Sequence, residues 1–120
     1  MNNREVGSYG EEIACHFLLA HDYDILEKNF WTRHGEIDLI GREAGVLAFI
    51  EVKLAREGTS ITPQEQITQR KKQHLQRVAK YYLLERGGTS NCRFDLVAIS
   101  GLEEENRQIE LIKNAFLVTS

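Results

Sequence analysis

Val46 to Ile50 reads Val-Leu-Ala-Phe-Ile, and the chain then continues at once into Glu51-Val52-Lys53. An unbroken apolar run of this length predicts a strand covered on both faces, the interior position of a layered α/β domain. Such a strand has no ordinary use for a glutamate and a lysine, because buried charge is costly unless it is paired or binds a metal. Side chains alternate across a strand, so Glu51 and Lys53 share one face. The preceding apolar segment, Gly35-Glu36-Ile37-Asp38-Leu39-Ile40, carries charge in the same way. The rule of two sends Glu36 and Asp38 to one face. Gly35 to Arg42 and Val46 to Leu54, joined through Glu43-Ala44-Gly45, predict a hairpin that brings Asp38 level with Glu51 and Lys53.

The remaining elements follow from periodicity and caps. Ser8-x-x-Glu11 fits a capping box ahead of a helix to about His21, with Ile13, Ala14, Phe17 and Leu18 on its apolar stripe. Asp24 to Phe30 is a weaker strand. Thr62-Pro63-Gln64-Glu65 predicts a helix start, and Gly87-Gly88 its stop after Arg86. The stripe of that helix is Ile67, Leu75, Val78, Ala79 and Tyr82. Arg93 to Ile99 and Gln108 to Ile112 read as two more strands, with a solvated turn at 103–106. The order is α-β-β-β-α-β-β: an α/β fold, a mixed sheet with helices packed on it.

A length of 120 residues suits a single domain, residues 1–120, and an apolar share of 42% suits a globular one. The net charge of −3 gives no general attraction for nucleic acid, so any basic surface must be local. The apolar runs are too short to span a bilayer, so no membrane partner is expected. Residues 1–5 lack the apolar core of a signal peptide. Cys15 and Cys92 show neither a disulfide framework nor thiolate spacing for a metal and read as packing residues. A reduced, cytoplasmic setting follows.

Metal-assisted phosphodiester hydrolysis requires hard oxygen ligands, and a neighbouring ammonium helps to stabilise charge at phosphorus. Asp38, Glu51 and Lys53 supply that set. Glu11, in the first turn of the first helix, is placed to complete it. Each has a plainer reading. A capping box accounts for Glu11, a strand-edge pair with Arg33 or His34 accounts for Glu36, and an ion pair accounts for Glu51 and Lys53. Glu36 is better read as structural. Asp38 resists such a reading because aspartate is depleted in strands. Between Gln66 and Leu84 there is no acid, while Arg70, Lys71, Lys72, Arg77 and Lys80 are basic. The four histidines share no ligand spacing. Trp31, Phe30 and Tyr23 could stack on bases, but core packing is the better reading.

Asp38…Glu51-x-Lys53 resembles the PD-(D/E)xK nuclease superfamily, whose core is called restriction-endonuclease-like. The chain is more closely similar to the YraN family of small, poorly characterised bacterial proteins. The match runs in order through Gly7-x-x-Gly10-Glu11-x-x-Ala14, residues 35–40, Phe49-Ile50-Glu51-Val52-Lys53, Arg93-Phe94-Asp95 and Ala115-Phe116. The resemblance implies a three-layer core and Mg²⁺ or Mn²⁺ held by Asp38, Glu51 and the Val52 carbonyl. It makes Lys53 the catalytic amine and sets Glu11 near the metal. Lys71, with Arg70 and Arg56, would contact nucleic acid, and DNA, including branched DNA cut by a homodimer, becomes the expected substrate. Two departures stand out. Ile37 replaces the proline that names the superfamily, and Ala55 replaces an arginine usual two residues after the lysine, with Arg56 next. Two other functions fit the same residues: a module that binds structured nucleic acid without cutting it, and a protein-interaction scaffold.

Overall fold

The β2–β3 hairpin is the framework on which everything else is hung. In the computed structural model, which describes residues 2–55, 67–87, 91–101 and 103–116, β2 (Gly35–Glu43) and β3 (Val46–Ala55) pair antiparallel, with Glu43 opposite Val46. The two-residue turn places Ala44 at φ 52° and Gly45 at φ 79°. Positive φ at both central positions is the hairpin turn whose twist matches that of its strands. Leu47 to Ile50 are buried, as a doubly covered strand requires. β3 is the middle strand of five, in the order β1-β2-β3-β4-β5. β1 (Asp24–Thr32) pairs antiparallel with β2, and β5 (Gln108–Phe116) pairs antiparallel with β4 (Cys92–Ser100). The β3–β4 pair is parallel, and its crossover carries helix α2 (Gln69–Arg86).

Among the described residues, two α-helices cover opposite faces of the sheet. Helix α1 (Asn3–Ala20) packs Ile13, Ala14 and Leu18 onto Leu39, Ala48, Ile50, Val97 and Ile99. Helix α2 packs Leu75, Val78, Ala79 and Tyr82 onto Ile40, Phe49 and Phe94. Neighbours in one strand, such as Phe49 and Ile50, thus join different cores, and the molecule is three layers with a mixed sheet between helices. The expected α-β-β-β-α-β-β order is the order found. Tyr82 meets Phe30 and Phe49 edge-on at centroid distances of 5.1 and 5.8 Å. Such pairs contribute about 0.5–1.5 kcal/mol each beyond area burial and fix α2 against the sheet.

Several boundaries differ from expectation. Asn2, not Ser8, caps α1: its side chain accepts from the Glu5 N–H at 2.9 Å. Ser8 lies inside the helix, and Glu11 is beyond the first turn, so capping does not explain it. Helix α2 begins at Gln69, because Thr68 is extended (φ −69°, ψ 159°) and its hydroxyl accepts from the Lys71 N–H. The threonine hydroxyl thereby satisfies one of the free N–H groups of the first turn. Ile67 is buried but precedes the helix. The start proposed at Thr62-Pro63 lies outside the described residues. The stop at Gly87 is as expected, with φ 71°. Strands β1 and β5 run longer than the sequence suggested, to Thr32 and Phe116. The turn at 103–106 is exposed and includes a short 3₁₀ turn, Glu104–Asn106. Cys15 and Cys92 are free thiols, one buried and one half-buried.

Candidate functional site

The site arises where the β2–β3 ladder ends. Pairing stops at Leu39 opposite Ile50. One residue beyond, the Asp38 carboxylate replaces the missing backbone partner, with Oδ2 accepting from the Val52 N–H at 2.8 Å. The alternation of β2 breaks at this point. Ile37 joins the core under α2, whereas Leu39, two residues on, joins the core under α1. The β1–β2 ladder skips the same level, passing from Lys28–Leu39 to Phe30–Ile37. The residue skipped on β1 is Asn29, whose φ is +53°, a left-handed conformation that asparagine tolerates better than most side chains. The break turns Asp38 into the gap between strands rather than into either core.

Four carboxylates meet there. One oxygen from each of Glu11, Glu36 and Asp38 lies within 4.8 Å of the others. Glu51 is in hydrogen-bonding reach of Asp38. Glu11 arrives through close packing of α1. A Cβ on Gly10 would stand 2.7 Å from Leu54 Cδ2, so the helix rests on β3 just before Glu11. Asn29 is also hydrogen-bonded to Glu11. The Trp31 indole is bonded to Glu36, its cross-strand partner.

Burial, and then the neighbouring negative charge, shifts these acids. Asp38 is pushed up to about 8, by burial first, then by its hydrogen bond to Glu51 and the Glu51 charge; the Val52 N–H and Lys71 oppose the rise. Glu11 is raised to about 7 by burial and by the Asp38 and Glu36 charges. Glu36 is raised by burial and by Asp38. Like charges brought out of water raise one another in this way. The cation that answers them is Lys71, whose Nζ stands 3.4 Å from Glu51 Oε2.

The structure therefore brings Asp38, Glu51 and Glu11 together, as the sequence suggested, with Val52 bound to Asp38 through its N–H. It changes three readings. Glu36, read as structural, belongs to the cluster. The ion pair of Glu51 is with Lys71 and not with Lys53, which makes no ion pair with any described residue. Trp31 is 72% exposed, while Phe30 and Tyr23 are buried as expected. Arg70 is exposed on α2 beside Lys71. Arg56 lies outside the described residues. Asn29 was missed, although an asparagine within a strand was a signal. No histidine joins the carboxylate group.

Arg93 and Asp95, which the family resemblance singled out, build a separate network. Asp95 is 1% exposed, and it accepts from Tyr23 Oη at 2.7 Å, Arg93 Nε at 2.9 Å and the Asn114 N–H at 2.9 Å. Arg93 also donates to Glu43 at 2.8 Å, and Lys113 Nζ lies 3.2 Å from the same carboxylate.

Fold and site together define a three-layer α/β domain with a carboxylate cluster at the splayed end of its central hairpin. Residues 10–99 match the family described as "Uncharacterised protein family UPF0102". The chain is 44% identical to a UPF0102 protein of Caldicellulosiruptor saccharolyticus, covering 97% of this chain and 100% of the relative. It is 42% identical to one of Symbiobacterium thermophilum, over 95% and 98%, and 37% identical to one of Geobacter metallireducens, over 97% and 95%. The chain belongs to the UPF0102 family, which is the YraN family it was seen to resemble. Among the described residues, no helix is long and apolar enough to cross a membrane.

Proposed function

We propose that this protein is a metal-dependent endonuclease of the PD-(D/E)xK type that hydrolyses nucleic-acid phosphodiesters, with DNA as the favoured substrate. The observation that carries this reading is the convergence of Glu11, Glu36, Asp38 and Glu51 in a half-buried gap with one paired lysine. Hard carboxylate oxygens held together against their own repulsion fit a hard divalent cation, which would relieve the charge that raises Asp38 and Glu11. Asp38 and Glu51 would hold Mg²⁺ or Mn²⁺, with the Val52 carbonyl, Glu11 and Glu36 around it. When bound, the ion supplies Lewis acidity at the phosphoryl oxygens and acidifies water.

The chain's own groups do the rest. The Val52 N–H fixes the Asp38 carboxylate, and Lys71 fixes Glu51. Lys53 follows Glu51 by two residues on the same strand and stabilises charge on the phosphoryl oxygens. Arg70 and Lys71, in the first turn of α2, offer phosphate contacts. By analogy with the superfamily, water attacks phosphorus and leaves 5′-phosphate and 3′-hydroxyl ends. A homodimer would supply paired sites for symmetric cutting of branched DNA.

The test is incubation with single-stranded, duplex and branched DNA and RNA in Mg²⁺ or Mn²⁺, beside Asp38→Ala and Lys53→Ala. The expected result is cleavage by the parent and its loss in both variants. Cleavage that survives both substitutions sinks the site. Salt-dependent binding without cleavage favours a binding module, and neither binding nor metal affinity favours a scaffold.

A further inference from the structure

Trp31 is the chain's one tryptophan, and it is 72% exposed at the end of β1. A ring of that size left in water needs a reason, since the same strand buries Phe30 against Tyr82. Its orientation is tied to the site. The indole is hydrogen-bonded to Glu36, whose carboxylate is grouped with those of Glu11 and Asp38. Through Glu36, its cross-strand partner, the exposed ring neighbours the carboxylate group.

The surroundings are cationic and aromatic. Trp31, Thr32, Arg33, His34 and Tyr81 line an open cavity of about 360 Å³ between the β1–β2 turn and α2. Tyr81 is 50% exposed. Exposed Arg77 lies one turn before it on α2, and exposed Arg70 two turns before that on the same stripe. An exposed aromatic face flanked by guanidinium groups is the means by which proteins bind unpaired bases, because every base has a π-face while its phosphates seek the cations. A base inside a duplex is covered by its neighbours and cannot offer that face.

We infer that Trp31 is a stacking platform for an unpaired nucleobase beside the phosphodiester that enters the carboxylate site, so that the substrate is single-stranded or locally unpaired at the cut. This rests on the nuclease reading and narrows its substrate class.

Trp31 reports on its own contact. In Ca²⁺, short single-stranded DNA and RNA oligonucleotides and a blunt duplex of the same sequence are titrated against intrinsic tryptophan fluorescence. Affinity is read in parallel by anisotropy of labelled strands. Saturable quenching by single strands, and little by the duplex, is expected. Trp31→Ala should weaken single-strand binding about 10-fold, the scale of one stacked base, and leave duplex binding nearly unchanged. Trp31→Phe, which keeps a ring but loses the bond to Glu36, should restore most of the affinity. Single strands that bind without quenching, or equally well to Trp31→Ala, overturn the inference, and so does the absence of any binding. Cleavage in Mn²⁺ is scored separately. A protein that cuts but does not quench is a nuclease without this platform, and one that quenches but never cuts keeps the platform and loses the nuclease reading.

Discussion

Two charged clusters sit at opposite ends of β2, and they are built on opposite principles. Around Glu43, at the strand's last residue, Asp95 and Glu43 face Arg93 and Lys113, two charges of each sign. Tyr23 and the Asn114 N–H complete the hydrogen bonds of Asp95. Burial opposes the Arg93 charge, yet hydrogen bonds to Glu43, Asp95 and Tyr23 raise its pKa. Around Asp38, near the strand's start, four carboxylates share Lys71. The first cluster closes on itself and ties β4, β5 and the hairpin together. The second is left short of positive charge, the arrangement expected of a site that awaits a ligand.

Opposite responses to mutation should separate the clusters. The largest effect is on chemistry: Asp38→Asn should lower metal-dependent cleavage by about 10³-fold or more, since Lewis-acid stabilisation contributes several kcal/mol. Arg93→Ala should instead strike the fold. Breaking a buried pair and leaving Asp95 uncompensated costs about 3–5 kcal/mol, read as a lower midpoint in chemical denaturation. A mild Arg93→Ala would break the contrast, because it would mean that the first cluster is not structural.

Stability should move the other way for Asp38→Asn in metal-free buffer. An unfolded aspartate titrates near 4, whereas folded Asp38 titrates at about 8. At low pH both states are protonated, and the shift costs nothing. As pH rises between those values the unfolded chain ionises first, so stability falls, and the loss is complete above the folded value. The variant, whose amide oxygen can still accept from Val52, should therefore be more stable than the parent by on the order of 5 kcal/mol at pH 9 and nearly equal to it near pH 4. Saturating Mn²⁺ should narrow or reverse the difference, because ligand at 100 times Kd contributes about 2.7 kcal/mol to the parent alone. The smallest expected change is Tyr23→Phe, about 1 kcal/mol of destabilisation from one lost hydrogen bond to Asp95, with no effect on metal binding.

What the sequence made legible was whatever follows from period and register. The apolar run into Glu51-Val52-Lys53 foretold a central strand, and a two-residue turn at Ala44-Gly45 sets Asp38 beside Glu51. What stayed hidden depends on a break in that regularity. Counting by twos places Ile37 and Leu39 on one face, and only the left-handed Asn29 opposite Asp38 reveals that they part. Glu36 carries the same residue type whether it pairs at an edge or joins a cluster, so its place could not be read from spacing. Ser8 and Asn2 are both good caps, and sequence does not say which the chain will use. Trp31 is apolar by composition, and sequence alone does not say that its ring stays in water while Phe30 beside it is buried.

The central claim is that the Asp38 cluster is held ready for a divalent cation. The most direct measurement is calorimetric titration of the protein with Mn²⁺ at pH 7.5, in two buffers of different ionisation enthalpy. With Asp38 raised to about 8 and Glu11 to about 7, binding should displace protons. Saturable binding is expected, with an apparent enthalpy that differs between buffers by the heat of about one proton, and with loss of both signals in Asp38→Asn. Buffer-independent heats, or binding undiminished in that variant, would contradict it.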